Sequence, residues 1–205
     1  MNTIQLVIEF LGTFAFAISG IRWAASKKFD WFGGYVVGLA TAIGGGTIRD
    51  VMLGVTPFWM TNSIYMICTA VALVTVIVFK KVIVRFTNTW FLFDTLGLAL
   101  FTVAGLQKTL YEGYPYWVAI IMGGITGAAG GVMRDVLINE VPLIFRKEIY
   151  AVACILGGMA YYLCQVIGLS VEVTVIISFC VVVVIRLMAV KFHISLPHLH
   201  DENES

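Results

Sequence analysis

Gly44-Gly45-Gly46-Thr47-Ile48-Arg49-Asp50 returns later in the chain as Ala129-Gly130-Gly131-Val132-Met133-Arg134-Asp135, a displacement of 134 − 49 = 85 residues. The same displacement carries Glu9 onto Asp94, Gly12 onto Gly97, Phe16 onto Phe101, Gly20 onto Gly105, Gly38 onto Gly123, Pro57 onto Pro142 and Tyr65 onto Tyr150, with no gap. A register held over that length is an internal duplication.

The solvent of the duplication is lipid. The 205 residues are 60% hydrophobic and 12% charged, with a mean hydropathy of +0.96, which excludes an ordinary soluble domain. Long apolar runs alternate with short polar ones, and a bilayer-spanning helix takes roughly 20 such residues. Seven spans are expected, at about 3–21, 33–53, 62–80, 90–108, 115–138, 149–168 and 172–191. The runs are continuous, whereas a membrane barrel alternates. The first span lacks a basic start, carries Glu9 and belongs to the repeat, so it is expected to be a span and not a signal peptide.

Arg22, Lys27 and Lys28, then Lys80, Lys81 and Arg85, then Arg146 and Lys147, and finally Lys191 fall on one side of these spans; Lys108 falls on the other. Positive charge marks the cytoplasm, which predicts the N-terminus outside and the C-terminus cytoplasmic. Three spans per copy make the second copy enter from the opposite face, an inverted repeat. The organisation is therefore 1–85 and 86–170 as two three-helix units, 171–191 as a seventh helix that braces them or faces a neighbouring subunit, and 192–205 as a cytoplasmic tail.

The second span of each unit carries Gly38, Ala42, Gly45 and Gly46, or Gly123, Gly127, Gly130 and Gly131, on one face, a small-residue packing seam. Three consecutive glycines, Gly44 to Gly46, go further, since each costs about 1 kcal/mol against alanine in a helix. A kink or unwound turn lining a polar cavity is expected at Gly44–Gly46 and at Gly130–Gly131. Charges inside lipid persist when paired or hydrated. Two clusters are expected, Glu9 with Arg49 and Asp50 in the outer leaflet and Asp94 with Arg134 and Asp135 in the inner. They serve as clamps, as pathway electrostatics, or as both. Two acids against one arginine in each would favour cations.

Cys68, Cys154, Cys164 and Cys180 lie inside spans without metal spacing and are expected to pack as small apolar residues. His193, His198 and His200 sit with Asp201, Glu202 and Glu204 in a tail expected to be solvated. No nucleotide-binding loop, nucleophile–base arrangement or basic aromatic surface is present, so neither an enzyme nor a nucleic-acid binder is expected, and no cofactor or metal.

With its paired Gly-Gly-x-x-Arg-Asp signatures at Gly45–Asp50 and Gly130–Asp135, the chain resembles the prokaryotic branch of the trimeric intracellular cation channel (TRIC) family, also described as a glycine transporter domain family. The resemblance covers nearly the whole chain. It implies a homotrimer in membrane lipid with one pathway per subunit. It also implies permeation by monovalent cations, potassium and sodium, along second and fifth helices kinked at Gly44, Gly45, Gly46, Gly130 and Gly131. Arg49, Asp50, Arg134 and Asp135 carry over with them; Ala129 stands where the first copy has Gly44, so the two kinks need not match. Lys147-Glu148-Ile149 looks like the basic lipid-binding segment of animal members but lies outside the glycine-rich helices, and lipid regulation is not carried over. The short acidic tail has no endoplasmic reticulum signal, and a bacterial plasma membrane is the expected home.

Two functions from different classes remain open: a passive cation channel, with Phe10, Phe16, Ile43 and Phe101 as candidate constriction residues, and a secondary transporter of a small amino acid such as glycine. Inverted repeats with broken helices serve many transporters. A structural scaffold leaves the mirrored charges unexplained.

Overall fold

The computed structural model describes residues 3–79, 89–145, 149–192 and 194. Lys80, Lys81, Arg85, Arg146, Lys147, the Lys147-Glu148 segment, the tail histidines and the tail acids lie outside the described residues.

Among the described residues the chain is all helical: α1 (Thr3–Ser26), α2 (Trp31–Met52), α3 (Phe58–Thr61), α4 (Ile64–Val78), α5 (Thr89–Tyr111), α6 (Tyr116–Leu137), a 3₁₀ turn (Leu143–Phe145), α7 (Ala151–Val166) and α8 (Val171–Lys191). Five of these, α1, α2, α5, α6 and α8, are long and apolar enough to cross a membrane. The others that the sequence assigns to spans, α4 with 15 residues and α7 with 16, are shorter. At 1.5 Å per residue they reach about 22–24 Å, short of the roughly 30 Å hydrocarbon core.

The duplication extends to how the helices begin and end. Asp30 caps α2 by accepting from Gly33 N at 2.7 Å, and its counterpart Pro115 opens α6. Beyond α2, Gly54 turns left-handed at φ 71°, its N–H reaching Val51 O; beyond α6, Asn139 does the same at φ 56° on Val136 O. Glycine and asparagine are the residues that take this conformation at least cost. The α1–α2 and α5–α6 turns repeat the device at Lys28 (φ 62°) and Gly113 (φ 85°), again 85 residues apart.

The core lies where α1, α2, α5 and α6 meet. Phe16 and Phe101 are buried at its centre and stack with ring centroids 5.4 Å apart. Phe16 packs on Gly97 and Phe101 on Gly12. A contact between one residue and the other's counterpart, made twice, is the mark of a two-fold relation between the halves. The helix after the second unit, α8, packs on α5 and α7, so it braces that half of the molecule. Gly157 receives Val182 of α8 and Gly158 receives Ile120 of α6, so both glycines serve packing within the chain. Cys68, Cys154 and Cys164 are buried, Cys180 is exposed, and all four are free thiols.

No turn of helix is unwound at the glycines. Both α2 and α6 run as α-helix without interruption through Gly44–Gly46 and Gly130–Gly131, with no left-handed residue among them. Successive residues on a helix point about 100° apart, and three neighbours crowd α2 from three directions. A Cβ on Gly44 would strike Met133 Sδ, one on Gly45 the Thr126 carbonyl oxygen, and one on Gly46 the Phe58 ring. In α6, Gly130 meets the Thr41 carbonyl oxygen and Gly131 the Tyr150 hydroxyl. Packing accounts for the consecutive glycines: Gly45 and Gly130 lie on backbone carbonyls that cannot yield, and Gly46 lies on a buried ring, while the flexible Met133 side chain leaves Gly44 the least constrained.

Candidate ion-pathway site

The crossing of α2 and α6 joins the two halves. Gly45 lies on the carbonyl of Thr126 and Gly130 on that of Thr41, another reciprocal pair, since 41 + 85 = 126. The threonine hydroxyls turn back onto their own helices, Thr41 Oγ1 to Val37 O and Thr126 Oγ1 to Met122 O, both at 2.6 Å. Side chains that spend their hydroxyls this way present no free donor to a neighbouring helix.

Toward the C-terminal end of α2, the structure brings Glu9, Arg49 and Asp50 together, all fully buried. Arg49 Nε donates to Asp50 Oδ1 at 2.7 Å, and Arg49 Nη2 lies 3.4 Å from Glu9 Oε1. Asp50 Oδ2 accepts the backbone N–H of Phe58 at 2.8 Å, and Tyr65 donates its hydroxyl to Glu9 Oε2 at 3.1 Å. Pro57 ends the connection that delivers Phe58, and the short helix α3 begins there.

The corresponding end of α6 repeats the set. Arg134 Nε donates to Asp135 Oδ1 at 2.9 Å, and Arg134 Nη1 lies 2.5 Å from Asp94 Oδ1. Asp135 Oδ2 accepts from Leu143 N at 2.9 Å, and Tyr150 donates to Asp94 Oδ1 at 3.3 Å. Every one of these partners is its counterpart's number plus 85.

Neither cluster holds the expected excess of acid. Lys108, from the far end of α5, sets its Nζ 2.9 Å from Asp50 Oδ1. Arg186, buried on α8, lies 3.8 Å from Asp94 Oδ2, donates to Ile149 O and covers the rings of Phe91 and Tyr150. Among the described residues each cluster is two acids against two cations, so a standing negative charge is not its means of favouring cations. The second cations break the symmetry. Where the first cluster has Lys108, the second has Trp23, whose ring lies over the Arg134 guanidinium at 5.7 Å. Ser19 accepts from Arg134 at 2.8 Å where the other half has Ala104.

Lys108 reads in the sequence as the last residue of the fourth span, a charge on the outer side, and Val183-Val184-Ile185 of the α8 span reads as plain lipid-facing or packing material. The available signals were a lysine at a register position held by tryptophan in the first copy, and an arginine alone inside an apolar span. The constriction candidates divide: Phe16 and Phe101 are buried at the two-fold centre, Ile43 packs partly buried against the core, and Phe10 is 40% exposed on the outer surface.

A family model described as "Glycine transporter" matches residues 6–81 and again 91–166, two segments themselves displaced by 85. A UPF0126 membrane protein of Vibrio cholerae is 41% identical over 201 residues, covering 96% of this chain and 83% of its own. The UPF0126 inner membrane protein YadS of Escherichia coli K12 is 39% identical over 204 residues, covering 96% of this chain and 97% of its own. Among solved structures, the trimeric intracellular cation channel orthologue from Rhodobacter sphaeroides superposes with a TM-score of 0.88 at 31% identity, over 94% of this chain and all of that one.

Proposed function

The chain belongs to the prokaryotic branch of the trimeric intracellular cation channel family, the family whose domain model is described as glycine transporter, and on that footing we propose that it is a cation channel. It is a multi-pass protein of the bacterial inner membrane. The finer reading is a homotrimer, permeable to potassium and sodium, whose every subunit carries its own pathway along α2 and α6. In this reading α4 and α7 cross with the five longer helices, and the N-terminus faces outside.

The observation that carries it is the pair of balanced clusters flanking the α2–α6 crossing, each with hydrogen-bonding capacity unspent. Glu9 Oε1, Arg49 Nη1, Arg49 Nη2 and Asp94 Oδ2 are buried without a hydrogen-bond partner of good geometry. Such groups in a low-dielectric interior are costly unless something polar visits them. A carboxylate oxygen already balanced by lysine or arginine can exchange that partner for a mobile cation with little change in charge. With Gly45 on the Thr126 carbonyl, Gly130 on that of Thr41 and the Phe16–Phe101 stack at the centre, the described conformation is shut at the crossing. Conduction then requires α2 and α6 to part, at a seam held by close packing and not by hydrogen bonds between helices.

Purified protein in a planar bilayer tests the reading. Discrete unitary potassium currents, persisting without a gradient of any second solute, are the expected result. The family description keeps one other function in view, secondary transport of a small amino acid such as glycine. Saturable glycine uptake driven by an ion gradient, with no unitary current, would decide for it.

A further inference from the structure

We propose that the groove between the end of α1, the start of α2 and the last turns of α4 holds the phosphate of an anionic membrane phospholipid, with the upper part of an acyl chain lying along α4. The groove has a volume of about 460 Å³ and presents Arg22 and Lys28 at one end and Leu73, Val76 and Ile77 along its wall. Arg22 Nε is buried there with no hydrogen-bond partner. Lys28 is exposed on its left-handed turn. The acid at the rim, Asp30, is engaged by Gly33 N at 2.7 Å as the cap of α2. Two cations against one occupied carboxylate leave the rim positive, and guanidinium with ammonium is a donor set suited to phosphate oxygens. Phe29 and Trp31 stand exposed beside it, the aromatic pair expected at headgroup level. The apolar wall running away from the cations selects a lipid over a soluble phosphate.

The duplication supplies an internal control. The counterpart groove, at the opposite end of the molecule, is lined by Gln107, Leu110 and Tyr161, which stand 85 residues beyond Arg22, Ala25 and Val76. Its volume is about 300 Å³, and the Tyr161 hydroxyl meets Gln107 Nε2 at 3.5 Å. Charge and room are thus present in one groove and replaced by amide and phenol in the other. The asymmetry assigns the headgroup to the leaflet at the α1–α2 turn, whichever solute the protein passes.

Native mass spectrometry of the full chain, released from micelles doped with phosphatidylglycerol or phosphatidylcholine, reads the site directly. Wild type is expected to retain phosphatidylglycerol in preference. The double variant Arg22→Gln, Lys28→Gln should lose that retention by about tenfold or more, the scale of two charge-assisted contacts. Ala25→Leu, an exposed position given its counterpart's residue, should weaken retention without touching the charges, and Gln107→Ala should leave it unchanged. Circular dichroism melts identify variants that fail to fold, and Ala25→Leu then carries the test. Equal retention of both lipids by wild type, or undiminished phosphatidylglycerol on the folded variants, overturns the proposal. Displacement of the lipid by millimolar inorganic phosphate overturns its lipid half.

Discussion

Lys108 Nζ stands 2.9 Å from Asp50 Oδ1, so a cation borne by the second half of the duplication neutralises an acid borne by the first. Lys108 is also the cluster member that reaches the surface, with 13% of its side chain exposed against 0% for Asp50. It is the partner most easily withdrawn. Lys108→Met should cost less stability than removal of a fully buried cation, because Asp50 keeps Arg49 and the Phe58 N–H as partners. It should raise potassium conductance or open probability by a few-fold in planar bilayers, because Asp50 loses its resident competitor for a cation. Unaltered currents from a folded variant would remove Lys108 from the pathway.

Arg186 behaves differently, being fully buried and aromatic-covered. Removing one member of a buried charge group strands the other, at about 3–5 kcal/mol. Arg186→Leu should therefore lower the melting temperature in detergent far more than Lys108→Met, with Arg186→Lys intermediate. A melting curve like that of wild type would show that the second cluster does not need this cation.

The glycines give a sign test. Were Gly45 and Gly130 present to loosen their helices, alanine at either would stabilise by about 1 kcal/mol. Because each rests on the carbonyl of a facing threonine, alanine must push α2 and α6 apart. Gly45→Ala and Gly130→Ala are expected to destabilise by about 2 kcal/mol or more, the scale of overpacking, and to favour conducting states. Raised melting temperatures would restore the helix-loosening explanation.

Mirrored hydroxyls should prove interchangeable. Tyr65 donates to Glu9 and Tyr150 to Asp94, at 3.1 and 3.3 Å. Replacing either by phenylalanine should cost about 1–2 kcal/mol, the loss of a hydrogen bond to a charged group. The two costs should agree within about 0.5 kcal/mol; a large inequality measured by thermal denaturation would show the clusters to be energetically unlike.

The sequence made the repeat visible because pairing inside lipid needs residues of like charge at equivalent helical depths, and a displacement of 85 brings Glu9, Arg49 and Asp50 onto Asp94, Arg134 and Asp135. What it concealed lies outside that symmetry. Lys108 crosses from one half to the other and stands where the first copy has Trp23, and Arg186 comes from α8, beyond both copies, so the matching positions of the duplication point to neither. What the glycine run packs against was hidden for a related reason. Its cost in helix propensity is a local quantity, whereas Met133 and Thr126 reach Gly44 and Gly45 from the other half of the duplication, and Phe58 folds back onto Gly46 from the next helix.

A perfectly duplicated pathway would have no sense of direction, since reversing the membrane would return the same molecule. The exchange of Trp23 for Lys108 removes that equivalence. One cluster holds an ammonium on an acid, the other an indole over a guanidinium. On the proposed pathway an ion arriving from one side and an ion arriving from the other would not meet the same first barrier, and rectification of the current in planar bilayers is the expected consequence.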